Sequence, residues 1–185
     1  MAKEKKTVSY RQWRRRLFEL VLFALLADVM FASKMLMEAL PNIHLLAMLI
    51  TVYTLVFRAR ALIPIYLYVL LDGLIHGFAT WWIPYLYIWT ILWGVIMLLP
   101  RRMPKWLAIP VYAVVCGVYG MLFGVLYAPA QALMWGLDFE GMLLWISAGF
   151  PFDVIHGISN FVVTLLLTYP LSELLARTSK RVIKK

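Results

Sequence analysis

Within the apolar stretch "SAGFPFDVIHGISNFVVTLLLTYP", Asp153, His156, Asn160 and Thr164 recur at helical spacing. At 100° per residue they fall within about 80° of one another, so one helix face would carry a carboxyl, an imidazole, a carboxamide and a hydroxyl. A charge at the centre of a bilayer costs on the order of 3 kcal/mol, which confines such groups to protein interiors or water-filled cavities. Upstream, Tyr68, Asp72 and His76 repeat at i, i+4 and i+8, while Lys34 and Glu38 are four residues apart and able to pair on a helix. Groups of this kind hold a polar ligand, relay protons or bond helix to helix. An interhelical hydrogen bond is worth only about 0.6 kcal/mol in a membrane. That suits Asn160 or Thr164 alone, and suits an acid beside a histidine less well. The expected role of Asp153, His156, Asn160, Asp72 and His76 is therefore ligand binding.

Aromatic residues gather in "TWWIPYLYIWTILWG", where Trp82, Trp89 and Trp93 lie within about 40° on one helical face and Tyr85 is close by. Trp and Tyr commonly anchor helices at the membrane interface or fill cores, and that is the expectation for the deep Trp93. Trp82, Tyr85 and Trp89 are expected to line the site, because rings offer large apolar area with polar tips to a flat ligand.

The elements that would position these groups are membrane helices. The chain has 185 residues, 64% of them hydrophobic and only 15% charged, with a mean hydropathy of +0.83. A soluble domain carries nearer 25% charge. The fold expected is an all-α integral membrane protein, a compact bundle of six transmembrane helices in the cell membrane. A helix needs about 20 residues to cross the hydrocarbon, and breaks at charges, Pro and Gly place the spans at 17–40, 43–57, 61–80, 82–99, 106–128 and 149–176. The second is short enough to sit partly in the interface. The first follows a basic segment but is too long for the core of a signal peptide and is read as retained. Residues 1–16 and 177–185 then form basic segments flanking a membrane domain of 17–176.

Charge orients the bundle. Lys3, Lys5, Lys6, Arg11, Arg14, Arg15 and Arg16 precede span one, Arg58 and Arg60 follow span two, and Arg101, Arg102 and Lys105 follow span four. Arg177, Lys180, Arg181, Lys184 and Lys185 close the chain. All these fall on one side of a six-span topology, whereas the long connection 129–148 on the other side carries Asp138 and Glu140. The positive-inside rule makes both termini cytoplasmic and puts the polar groups in the outer half of the bundle. Basic residues placed at membrane ends argue against nucleic-acid binding despite the net charge of +9. The single Cys116 rules out an internal disulfide, and no Cys/His cluster has metal-ligand spacing, so neither a metal nor a cofactor is expected.

Two stripes of small residues complete the pattern. Cys116, Gly120, Gly124 and Ala128 repeat every four residues, as do Ala24, Asp28 and Ala32. Small residues at this spacing let helices approach closely. The former stripe is expected to pack within the bundle, and the latter suits a partner helix equally well.

The order and spacing of "FALLADVMFASKMLMEALPNIHLLAMLITVYTLVF", "LLDGLIHGFATWWIPYLYIWTIL" and "GFPFDVIHGISNFVVTLLLTYPL" resemble the S component of energy-coupling factor (ECF) transporters. These stretches cover most of the chain. The resemblance implies a subunit that is not an enzyme. It would capture a vitamin-like micronutrient from outside, in a pocket made by the outer loops and later helices. It would then work with a membrane coupling subunit and two cytoplasmic ATPases. It also implies docking of span one through small residues, here Ala24, Asp28 and Ala32, with an acid where the family has a small residue. Asp and His near stacked aromatics suit a heterocycle such as a pyridine or pyrimidine vitamin, and a larger corrinoid is the alternative, since the connection 129–148 is long enough to reshape the mouth. Two other readings compete. A self-sufficient proton-coupled carrier lacks a visible inverted repeat, and a membrane enzyme lacks H-E-x-x-H or G-x-S-x-G motifs. No phosphate-binding loop is present, so ATP use would belong to a partner.

Overall fold

The computed structural model describes residues 10–40 and 42–184, without the side chains of Arg11 and of residues 181–184. Lys3, Lys5, Lys6 and Lys185, and the side chains of Arg11, Arg181 and Lys184, lie outside it. Seven α-helices follow in order: α1 (Tyr10–Leu36), α2 (Leu46–Phe57), α3 (Leu62–His76), α4 (Tyr85–Leu98), α5 (Lys105–Met121), α6 (Phe123–Trp135) and α7 (Phe139–Lys184). No strand occurs among the described residues.

Among the described residues, four helical runs are long and apolar enough to cross a membrane: Leu46–His76, Thr80–Leu98, Lys105–Trp135 and Phe139–Lys180. The 27-residue α1 interrupts its apolar sequence with Glu19, Asp28 and Lys34. The first run reverses at Arg58, which has a positive φ of 55°. His44 and Tyr68 both lie within about 6.5 Å of the Trp89 ring at one level of the fold, while Arg58 reaches Met97 at another. At 1.5 Å per residue, the 12 residues of α2 and 15 of α3 span only about 18 and 22 Å. The sequence places span three at 61–80, but α3 ends at His76 because Gly77 turns out of the helix at φ 88°. By contrast, the 46 residues of α7 extend about 69 Å, twice the hydrocarbon thickness.

The segment 129–148, read from sequence as a loop, is instead the tip of a helical hairpin. Gly136 stops α6 in the left-handed conformation, and the Asp138 carboxylate starts α7 by accepting the Gly141 N–H at 2.7 Å. Both are ordinary stop and start signals, so the turn is only three residues long.

Helix α2 lies inside the bundle. Leu46 through Thr54 are buried without interruption, as expected of a helix apolar on every side. It packs among α1, α4, α5 and α7. The Tyr53 hydroxyl donates to the Leu26 carbonyl on α1, and Thr51 meets Cys116 of α5 at 3.2 Å. The stripe along α5 and α6 packs inside the bundle: Cys116, Gly120, Gly124 and Ala128 are all buried. A Cβ on Gly120 would sit 2.8 Å from Gly157 Cα, so α5 and α7 touch through backbone.

Helix directions follow from the ion pairs. Glu19 of α1 meets Arg60 at 3.3 Å, and Lys34 of α1 meets Asp72 of α3 at 2.7 Å, so α1 and α3 are parallel. Lys105 of α5 pairs with Glu173 at 3.3 Å, and Gly120 at the other end of α5 lies against Gly157, making α5 and α7 antiparallel.

Candidate functional site

The polar face of α7 points inward as its periodicity requires. Asp153, His156, Asn160, Thr164 and Thr168 are all buried. Their surroundings differ. Leu122 (φ −92°, ψ 3°) separates α5 from α6, leaving Gly124 in the first turn of α6, where N–H groups have no helical acceptor. Asp153 Oδ2 accepts that Gly124 N–H at 3.0 Å. The contact needs glycine, because a Cβ there would lie 2.3 Å from the same oxygen. Asp153 thus has a structural partner.

His156 and Asn160 do not. His156 is 2% and Asn160 1% exposed. His156 Nε2 and both polar atoms of the Asn160 side chain have no hydrogen-bond partner among the described residues. Of the five further unpartnered buried atoms among the described residues, two are the Thr164 and Thr168 hydroxyls and three are His44 Nδ1, Tyr68 OH and Trp89 Nε1. The last three and His156 are neighbours. The His44 and His156 rings are 4.6 Å apart, His156 packs 4.9 Å from Phe123, and Trp89 lies 5.9 Å from Phe123 and 6.4 Å from Tyr68. Each unsatisfied buried group costs about 1–3 kcal/mol, and native proteins tolerate few. Ring contacts join His44, Tyr68, Trp89 and His156, with Asn160 one turn beyond His156 on α7, and this gathering is the outstanding chemical feature of the fold.

A second polar centre lies against α1 and α3. Asp72 is fully buried, and Lys34 Nζ donates to both of its oxygens at 2.7 Å. His76 Nδ1 lies 3.0 Å from Asp72 Oδ1. Lys34 Nζ also stands over the rings of Trp81 and Tyr85 at 5.4 and 5.7 Å. Lys34 therefore pairs across helices rather than with Glu38, because α1 ends at Leu36 and leaves Glu38 off the helical face. The Asp72–His76 pair does not meet Asp153 and His156 directly. Between them runs the ring series Tyr85, Trp89 and Phe123, with Tyr85 and Trp89 5.2 Å apart.

Of the sequence-derived aromatics, Tyr85 and Trp89 join the cluster and Trp82 does not. The Trp82 N–H donates to the Val69 carbonyl at 2.7 Å, clasping α3 over Gly73, where a Cβ would come within 2.7 Å of Trp82 Nε1. Trp93 donates to the Arg58 carbonyl at the far end, in keeping with a structural role. Sequence reasoning missed His44, in the connection before α2, and used Tyr68 only as part of a repeat. For His44 no periodic signal exists, since it precedes its helix. Two apolar surface grooves, one lined by Leu26, Leu49, Val52 and Leu174 and one by Ile91, Val95 and Val118, lie apart from the cluster.

On α1, Ala24, Asp28 and Ala32 are all exposed on the surface of the chain, beside exposed Leu20, Val21, Leu25 and Val29. No protein family, curated protein or solved structure matches the chain.

Proposed function

We propose that the chain is the substrate-binding membrane subunit of an ATP-driven uptake system of the ECF kind, taking up a vitamin-like small molecule. The observation that carries this reading is the set of unpartnered polar atoms on His44, Tyr68, Trp89, His156 and Asn160, the first four joined by ring contacts. Ligand sites of this kind are mostly apolar with a few convergent polar groups. In this reading all six helical passes (α1, α2, α3, α4, α5–α6 and α7) lie in the membrane, with α2 to α4 short. The end bearing Arg15, Arg58, Arg60, Lys105 and Arg177 is cytoplasmic, and ligand enters from the other. The exposed α1 face supports the coupling partner: an acid facing lipid costs a few kcal/mol, so Asp28 between Ala24 and Ala32 favours a protein neighbour during the cycle.

A second reading, a self-sufficient carrier, is favoured by one observation. Below Asn160 the hydroxyls of Thr164 and Thr168 are also buried without partners, extending the polar seam of α7 toward its other end. One experiment separates the two. Vesicles holding the purified chain alone should bind the compound it retains from cells without concentrating it. Accumulation should need the coupling subunit, the ATPases and ATP, and should fail in Ala24→Trp while binding persists. Uptake by the chain alone against a gradient, driven by protons, would reject the subunit in favour of the carrier.

A further inference from the structure

The formal charges nearest the unpartnered cluster already have partners. Lys34 holds both Asp72 oxygens at 2.7 Å, and Asp72 also meets His76 at 3.0 Å. Asp153 takes the Gly124 N–H. What remains is an indole N–H, a phenol, a carboxamide and two imidazoles. His44 and His156 take part in no ion pair among the described residues. With ring centres 4.6 Å apart, two imidazolium ions would repel by about 3–4 kcal/mol even at an effective dielectric constant of 20. That repulsion forbids two charges, and burial without a carboxylate partner opposes even one, so the cluster offers hydrogen bonds and ring faces but no spare charge.

That combination selects its occupant. An anion entering the ring shell would have to take Lys34 from buried Asp72, and a cation would have to take Asp72 from Lys34. Either exchange strands a charge in low dielectric, where an unpaired ion costs several kcal/mol. A molecule without hydrogen-bonding groups would leave the indole N–H and the carboxamide unsatisfied, and a non-planar one would forgo the ring faces of Tyr85, Trp89 and Phe123. Resting on the reading of this cluster as the ligand site, we propose that the group it recognises is an uncharged, planar heterocycle. That ring carries an acceptor for the Trp89 N–H and a donor–acceptor edge for the Asn160 carboxamide, and it is flanked by the His44–His156 pair. Asp72 and Asp153 are positioning residues of the fold in this scheme and do not touch the ligand.

The test is the chemistry of what the protein retains. Wild type purified from cells in mild detergent is denatured, and the released small molecules are identified and quantified by mass spectrometry. His44→Gln and Asn160→Leu are treated alike, with thermal unfolding of each variant as a folding control. The expected result is a neutral aromatic heterocycle released in near-stoichiometric amount by wild type and reduced at least tenfold in folded Asn160→Leu. Release of a compound whose ring bears a carboxylate, phosphate or quaternary nitrogen would overturn the inference, as would a non-aromatic one. So would wild type releasing no compound, or the same amount as folded Asn160→Leu. The uptake reading fails separately. A charged vitamin whose accumulation still needs the ATPases removes the ring class and leaves the subunit. A neutral heterocycle concentrated by the chain alone does the reverse.

Discussion

Gly124→Ala should destabilise the fold when Asp153 is present and should become neutral or stabilising once Asp153 is alanine. The sign change follows from two opposed effects. In an exposed or unobstructed helix, alanine is better than glycine by about 1 kcal/mol. Here the added Cβ would stand 2.3 Å from Asp153 Oδ2 and 3.2 Å from its Cγ, so the carboxylate must move by about 1 Å to reach ordinary contact distance. The 3.0 Å bond to the Gly124 N–H does not survive that shift. An interhelical bond in a membrane averages about 0.6 kcal/mol, but a displaced carboxylate in a buried site also loses its solvation by that N–H, which raises the loss to about 2 kcal/mol. The clash therefore outweighs helix propensity by about 1 kcal/mol. With Asp153→Ala in place only the propensity remains. Reversible unfolding in mixed detergent–SDS micelles, followed by helical circular dichroism, gives the four stabilities of the cycle. A coupling of about 2 kcal/mol is expected between the two sites. Equal destabilisation by Gly124→Ala in both backgrounds would refute the assignment of Asp153 as the partner of the α6 first turn.

Further outcomes follow from other features of the fold and sequence. Lys34→Met should cost about 3 kcal/mol by leaving the fully buried Asp72 carboxylate without its cation, and Lys34→Met with Asp72→Leu should recover most of it in the same unfolding assay. Asn160→Ala should weaken binding of the retained compound by about 5- to 150-fold, one buried hydrogen bond, measured by equilibrium dialysis. Thr168→Ala, two turns along α7, should change that affinity little. Cysteines placed at Asp138 and at Lys105 in a Cys116→Ala background should label oppositely in intact cells, with the impermeant reagent reaching position 138 alone. Labelling at 105 alone would invert the bundle.

Periodicity and composition determined a good deal without any structure. The low charge and high hydropathy dictate a helical protein with membrane-length apolar runs. The spacing of Asp153, His156, Asn160 and Thr164 dictates that one face of α7 is buried, and all four are buried. The same holds for the α5–α6 stripe. Such patterns are local: a helix repeats every 3.6 residues whatever it packs against, so which residues share a face is legible from spacing alone. Which face meets which is not. Lys34 finds Asp72 across 38 residues rather than Glu38 next to it, because the end of α1 at Leu36 and the parallel run of α3 are settled by packing. Asp153 serves the freed N–H of Gly124 because α5 breaks at Leu122, and nothing in the spacing of α7 reveals that break. His44 reaches His156 only because α2, read from sequence as a short second span, packs among α1, α4, α5 and α7 and carries the preceding connection inward. A non-local contact depends on the relative placement of whole helices, and only the tertiary structure decides that.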